Sequence, residues 1–143
     1  MERRDVYLDN NATTRVDDRV AEEMNRYFLQ DYAVASSQFS HTPGIKAKDA
    51  VDKARFLLAE KINAKIDEIV FTSGATEANN LALKGIAKAF LSGPKKKVII
   101  SQVEHFSVLD SARALEKLGF KIEYVKVNNE GFVDLDHLAS LLD

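Results

Sequence analysis

Two short stretches hold residues whose types and spacing suit chemistry: Ser73-Gly74-Ala75-Thr76 and Glu104-His105. The first lies in "VFTSGATEANN", where an apolar run meets a small-residue turn and then a helical pattern. A helix leaves its first N–H groups without intrahelical partners and carries partial positive charge at that end, so such a turn can take a phosphate. Gly74 and Ala75 let an anion approach the backbone, and Thr76 adds a hydroxyl donor. A structural reading fits equally: Ser73 or Thr76 caps the helix and Gly74 makes a tight turn. Neither GxGxxG nor GxxxxGK[ST] occurs.

The second stretch, "SQVEHFSV", sets Glu104 and His105 just past a buried strand and before a helix that Ser107 is expected to cap. A histidine there can stack on a flat cofactor, act as acid or base, or close a loop by hydrogen bonding. The residues alone favour the last. A metal site is not expected, because His41, His105 and His137 are far apart, HExxH is absent and the chain has no cysteine.

These residues belong to a chain of 143 residues, 45% hydrophobic and 29% charged, the balance of a folded domain. The 20 basic and 22 acidic residues are interspersed and sum to −2, which leaves no field to attract nucleic acid or an anionic membrane. Lys95-Lys96-Lys97 reads as a solvated turn entering a strand. With no cysteine there is no disulfide and no thiol nucleophile within the chain. No apolar h-region opens it and no run reaches the roughly 18 apolar residues of a membrane span, so a cytoplasmic location is expected.

The elements that must position the two stretches follow from periodicity. Val20, Met24, Tyr27 and Phe28 mark a helix capped by Asp17, and Ala47, Ala50, Val51, Ala54, Leu57 and Leu58 mark a longer one. Between them Asp31 to Gly44 reads as a long loop. From Glu68 the order is strand ("EIVFT"), helix (Ala78, Leu81, Ala82, Ile86, Phe90), a stop at Gly93-Pro94, and strand ("KVIIS"). A helix marked by Val108, Leu109, Ala112, Leu115 and Leu118 and ending at Gly119, a strand ("FKIEYVKV") and a short helix from Leu135 complete it. Such βαβ order predicts an α/β architecture, a mainly parallel sheet flanked by helices, with ligands outside the carboxyl ends of the strands. The places to look are Thr72–Thr76 and Ser101–Ser107.

"YLDNNATT", "AKDAVDKAR", "EIVFTSGATEANNLALKG" and "EHFSVLDSARALEKLGFKIEYVKVNNEGFVDLDHL" together resemble the N-terminal part of a NifS/IscS-type cysteine desulfurase. That family is a class V aminotransferase group of the pyridoxal phosphate (PLP) dependent fold type I. The resemblance implies that residues 1–15 pack with the small domain of the full fold. Residues 16–143 would form the first part of the large PLP-binding domain, incomplete without the downstream half. It places phosphate binding on Ala75 and Thr76, and ring stacking with proton transfer on His105.

The implied reaction converts L-cysteine to L-alanine and passes sulfur as a persulfide toward iron–sulfur cluster assembly. The family's cofactor-bonding lysine, pyridine-pairing aspartate, substrate-binding arginine and nucleophilic cysteine all lie downstream of the motifs matched here. The chain is therefore expected to be inactive alone, and to act as a homodimer or with a complementing C-terminal polypeptide. A sulfur acceptor or iron–sulfur scaffold protein is the further partner expected. Where the family commonly has Gly-Asn-Pro-Ser-Ser, this chain has Ala33-Val34-Ala35-Ser36-Ser37, in a slightly longer loop. Selenocysteine lyase, a small amino acid aminotransferase, or a non-catalytic remnant that only self-associates are the alternative readings.

Overall fold

The computed structural model describes residues 6–39 and 41–142. The chain divides after Val70 into two compact units.

The first unit is helical. Helix α1 spans Asp18–Leu29 and starts where the Asp17 carboxylate accepts the Arg19 N–H at 2.9 Å, the cap its sequence predicts. Its apolar positions Val20, Met24 and Phe28 are exposed. The expected loop Asp31–Gly44 is shorter than predicted. Ala35–Ser37 forms a 3-10 turn and helix α2 (Thr42–Lys61) is already under way at Thr42. Two residues bring this about: His41 Nδ1 accepts the Gly44 N–H at 3.0 Å as the cap, and Pro43 sits in the first turn, where its missing N–H costs nothing.

Gly44 is where α2 crosses the 3-10 turn. A Cβ built there would stand 2.6 Å from the Ser37 carbonyl oxygen and 2.7 Å from its carbon, so only glycine allows the approach. After α2, a second 3-10 turn (Ile66–Glu68) is held against the helix by Arg55, whose Nε donates to the Ile69 carbonyl at 3.2 Å.

That contact bears on the "EIVFT" strand, which does not form. Ile69 is extended (φ −94°, ψ 119°), yet the sheet of the described residues has two strands and this segment is neither of them. A strand is made by its ladder, and here the Ile69 carbonyl is taken by a guanidinium instead. Residues 1–5 of the expected N-terminal packing segment, and Ser40 of the loop, lie outside the described residues.

The second unit is the α/β part. Helix α3 (Ala75–Ala89) precedes a crossover unit of β1 (Lys97–Ser101), α4 (Phe106–Glu116) and β2 (Lys121–Val125). The strands pair in parallel from Lys97 opposite Lys121 to Ser101 opposite Val125, as the alternation predicts. Helix α4 ends before Gly119, which takes the left-handed φ of 84° that turns the chain into Phe120 and β2. "FKIEYVKV" yields its strand only as far as Val125; beyond it Val127 bridges Val133 antiparallel. Helix α5 (Leu135–Leu141) is capped by Asp134, and Lys97 Nζ donates to its Leu141 carbonyl at 2.9 Å.

The core of this unit is Ala87 of α3, Leu115 of α4 and Phe120, with Val98 and Ile122 of the two strands packed against them. Leu115 is fully buried. Leu115→Ala should lower stability by about 2–5 kcal/mol, the range for a buried leucine with its cavity. Helix propensity alone makes Gly44→Ala stabilising by about 1 kcal/mol. Overlap with the Ser37 carbonyl reverses the sign, to a loss of about 1–3 kcal/mol. Denaturant unfolding followed by far-UV circular dichroism checks both, and a more stable Gly44→Ala chain would contradict the close approach.

Candidate cofactor site at the starts of two helices

The turn before α3 is built by its own residues. Thr72 Oγ1 donates to the Gly74 carbonyl at 3.2 Å, and the Glu77 carboxylate reaches back to the Ser73 N–H and hydroxyl, both at 2.7 Å. The N-cap is Gly74, with no side-chain hydrogen bond to the helix start. Neither Ser73 nor Thr76 caps the helix, as the structural reading of the sequence allowed: Ser73 is engaged by Glu77, and Thr76 already lies inside the first turn.

The amides that open α3 are thus left without a side-chain acceptor. A Cβ at Gly74 would meet nothing within 4 Å, so the space over the turn is open. Thr76 is exposed, its carbonyl accepts from Asn80 Nδ2 at 2.8 Å, and its hydroxyl has no partner among the described residues. An uncapped helix start with an adjacent hydroxyl can hold an anion.

The turn after β1 places His105. Ser101 Oγ donates to Glu104 at 3.0 Å, closing the turn. His105, not Ser107, caps α4: its Nδ1 accepts the Ser107 N–H at 3.1 Å and lies 2.9 Å from the Ser107 hydroxyl. The ring is exposed and meets Phe106 edge-on, with centroids 6.4 Å apart. Loop closure by hydrogen bonding, the reading the residues alone favoured, is therefore present, and it leaves the opposite edge of the ring accessible.

One contact joins the two stretches. Asn79, one turn into α3, donates from Nδ2 to Ser107 Oγ at 2.9 Å. The starts of α3 and α4 therefore lie side by side, and Ala75, Thr76 and His105 are carried to the same end of the unit. Sequence reading missed Asn79 and took Ser107 only for a helix cap. Their signal was faint: Asn79 shares the edge of the α3 face carrying Ala82 and Ile86, and Ser107, Ser111 and Leu115 recur every four residues.

Glu77 adds a pH dependence. The Ser73 N–H first, and the Ser73 hydroxyl second, hold its carboxyl below the ordinary 4.5, against a smaller opposing effect of desolvation. A depressed pKa contributes stability above the unfolded value and loses it as pH falls through the folded one. In urea unfolding, Glu77→Gln should therefore be less stable than the native chain at pH 7, by a gap that is smaller at pH 3. A gap of equal size at both pH values would contradict the assignment.

The family described as Aminotransferase class-V matches residues 6–143. The chain is 46% identical over 140 residues to "Cysteine desulfurase IscS" of Dictyoglomus turgidum, which covers 98% of this chain and 35% of that protein. It is 46% identical over 139 residues to "Cysteine desulfurase, mitochondrial" of Candida maltosa, covering 97% and 28%. Among solved structures, a "NIFS-LIKE PROTEIN" superposes with a TM-score of 0.89 at 43% identity, over 96% of this chain and 37% of that one. DndA from Streptomyces lividans gives 0.80 at 37% identity, over 96% and 38%. The chain thus spans about a third of the length of these relatives. With its α/β fold and a family match over residues 6–143, the chain belongs to the class-V aminotransferase family.

Proposed function

We propose that these residues form the cofactor-phosphate and ring-stacking portion of a PLP-dependent cysteine desulfurase. The observation that carries the reading is the joined pair of helix starts: an uncapped turn with open space over Gly74, tied through Asn79 and Ser107 to an exposed imidazole. An anionic phosphate and a flat ring on one ligand ask for such a pair.

The residues fit PLP. The amides of Ala75 and Thr76 and the Thr76 hydroxyl would hold its phosphate, and the His105 ring would stack on its pyridine. Glu77, the carboxylate nearest in sequence, is engaged with Ser73. Bound PLP supplies an electron sink for the carbanion of an amino acid substrate. For this chain's own residues the work is binding, orientation and proton handling at the accessible edge of His105.

The substrate proposed is L-cysteine, with L-alanine as product and sulfur leaving as a persulfide toward an iron–sulfur scaffold or other acceptor protein. The persulfide must form on a cysteine outside these 143 residues, which contain none. The cofactor-bonding lysine is likewise assigned to the part of the fold they do not span. Residues 1–15 are proposed to pack with the small domain and residues 16–143 to begin the large one. Exposed Phe28, Ile86 and Phe106 support association with further protein, as a homodimer or with a complementing polypeptide. No helix of the described residues is long and apolar enough to cross a membrane, and a cytoplasmic setting is proposed.

The test mixes the chain with a polypeptide carrying the lysine and cysteine segments of a homologous desulfurase, then adds PLP, L-cysteine and dithiothreitol, whose thiols reduce the persulfide to sulfide. Equal release of alanine and sulfide, absent from either half alone, is expected. Thr76→Val should weaken PLP binding about 10- to 100-fold, the effect of losing one hydrogen bond to a charged group. A mixture that binds PLP yet releases neither product from cysteine would overturn the desulfurase reading. Turnover of selenocysteine alone would indicate a lyase.

A further inference from the structure

Ser107 is only 9% exposed, and its polar groups converge on neighbours from two helices. Its N–H lies 3.1 Å and its hydroxyl oxygen 2.9 Å from His105 Nδ1, while Asn79 Nδ2 of α3 donates to that hydroxyl at 2.9 Å. A backbone N–H can only donate, so His105 Nδ1 must present its lone pair. In a neutral imidazole the proton then resides on Nε2. With Asn79 donating to the Ser107 oxygen, the serine's single proton is left to point at Nδ1.

We infer that Asn79 and Ser107 are positioning residues that hold His105 as the Nε2–H tautomer. Nδ1 faces the protein, so any proton the ring exchanges with a reacting group passes through Nε2. The other histidines mark what is particular here. His41 Nδ1 accepts the Gly44 N–H and His137 Nδ1 the Lys126 N–H, but among the described residues neither receives a hydroxyl relayed from a second helix. The relay also fixes the ring relative to the α3 turn, because Asn79 stands one turn beyond Ala75 on the same helix. What the ring faces rests on the cofactor reading above; the tautomer does not.

Long-range 1H–15N spectra of the 15N-labelled 143-residue chain, at a pH where the ring is neutral, report the tautomer directly. The His105 signal is identified by its loss in His105→Gln. A protonated Nε2 with a bare Nδ1 is expected in the native chain. In Ser107→Ala and in Asn79→Leu the residue-107 N–H still reaches Nδ1 but the relayed hydroxyl is lost, so the two ring nitrogen shifts should move part of the way toward each other, and Ser107→Thr should restore the native pattern. A native Nδ1–H tautomer would overturn the inference without need of any variant. So would unmoved ring shifts in folded Ser107→Ala and Asn79→Leu chains, since a packing role alone lowers the urea midpoint and leaves the tautomer in place. The native tautomer pattern, together with a complemented mixture that binds no PLP, would sink the cofactor reading and support the positioning one.

Discussion

Helix α4 can carry an imidazole to the start of α3 only because its inner face is made of small groups. Ser107, Ser111 and Ala112 are buried along it, with Leu115 below them. The Ser111 hydroxyl returns to the Ser107 carbonyl at 2.7 Å, so a polar group is buried at no cost in unsatisfied hydrogen bonds. That slim face lets Asn79 reach Ser107 with a single side chain. A bulky residue at 107 or 111 would push the helices apart by more than one hydrogen bond can span, and His105 would lose its tie to α3. The position of the candidate site therefore depends on how closely two helices approach.

Local signals were legible in the sequence, and partnerships across the chain were not. Asp17 caps its helix because a short acceptor directly precedes it, and "KVIIS" is a strand along its whole length. Ala75, Thr76 and His105 stood out from their place between strand-like and helix-like patterns, the resemblance to the family implied their roles, and the structure brings their helices together. "EIVFT" misled because an apolar, β-branched run says nothing about whether a neighbour takes its carbonyls; Arg55 took one instead. Ser107 looked like the cap of α4 because serine outranks histidine at that position, but the imidazole two residues earlier claims the amide. The Asn79–Ser107 bond spans 28 residues and leaves no local trace.

The proposed division of labour follows from what these residues offer. On the proposed reading they would supply donors for an anion and one aromatic ring, groups that bind and orient, while the bond-forming lysine and thiol would come from the part of the fold they do not span. Binding groups are most useful when preorganised, and here the preorganisation is visible: Glu77 is occupied by Ser73, and His105 by Ser107, before any ligand arrives. Large apolar side chains elsewhere on the chain, such as Phe39, remain exposed.

The central claim is that the α3 start holds a phosphate and His105 a pyridine ring. Amide and imidazole shift mapping tests it most directly, on the labelled chain with pyridoxine 5′-phosphate and, separately, pyridoxine. Neither compound has an aldehyde, so neither reacts with surface lysines. The phosphate ester is predicted to move the Ala75 and Thr76 amides and the His105 ring, while pyridoxine leaves the two amides in place. Equal shifts with both compounds, or Ala75 and Thr76 amides that stay still under the ester, would contradict the claim.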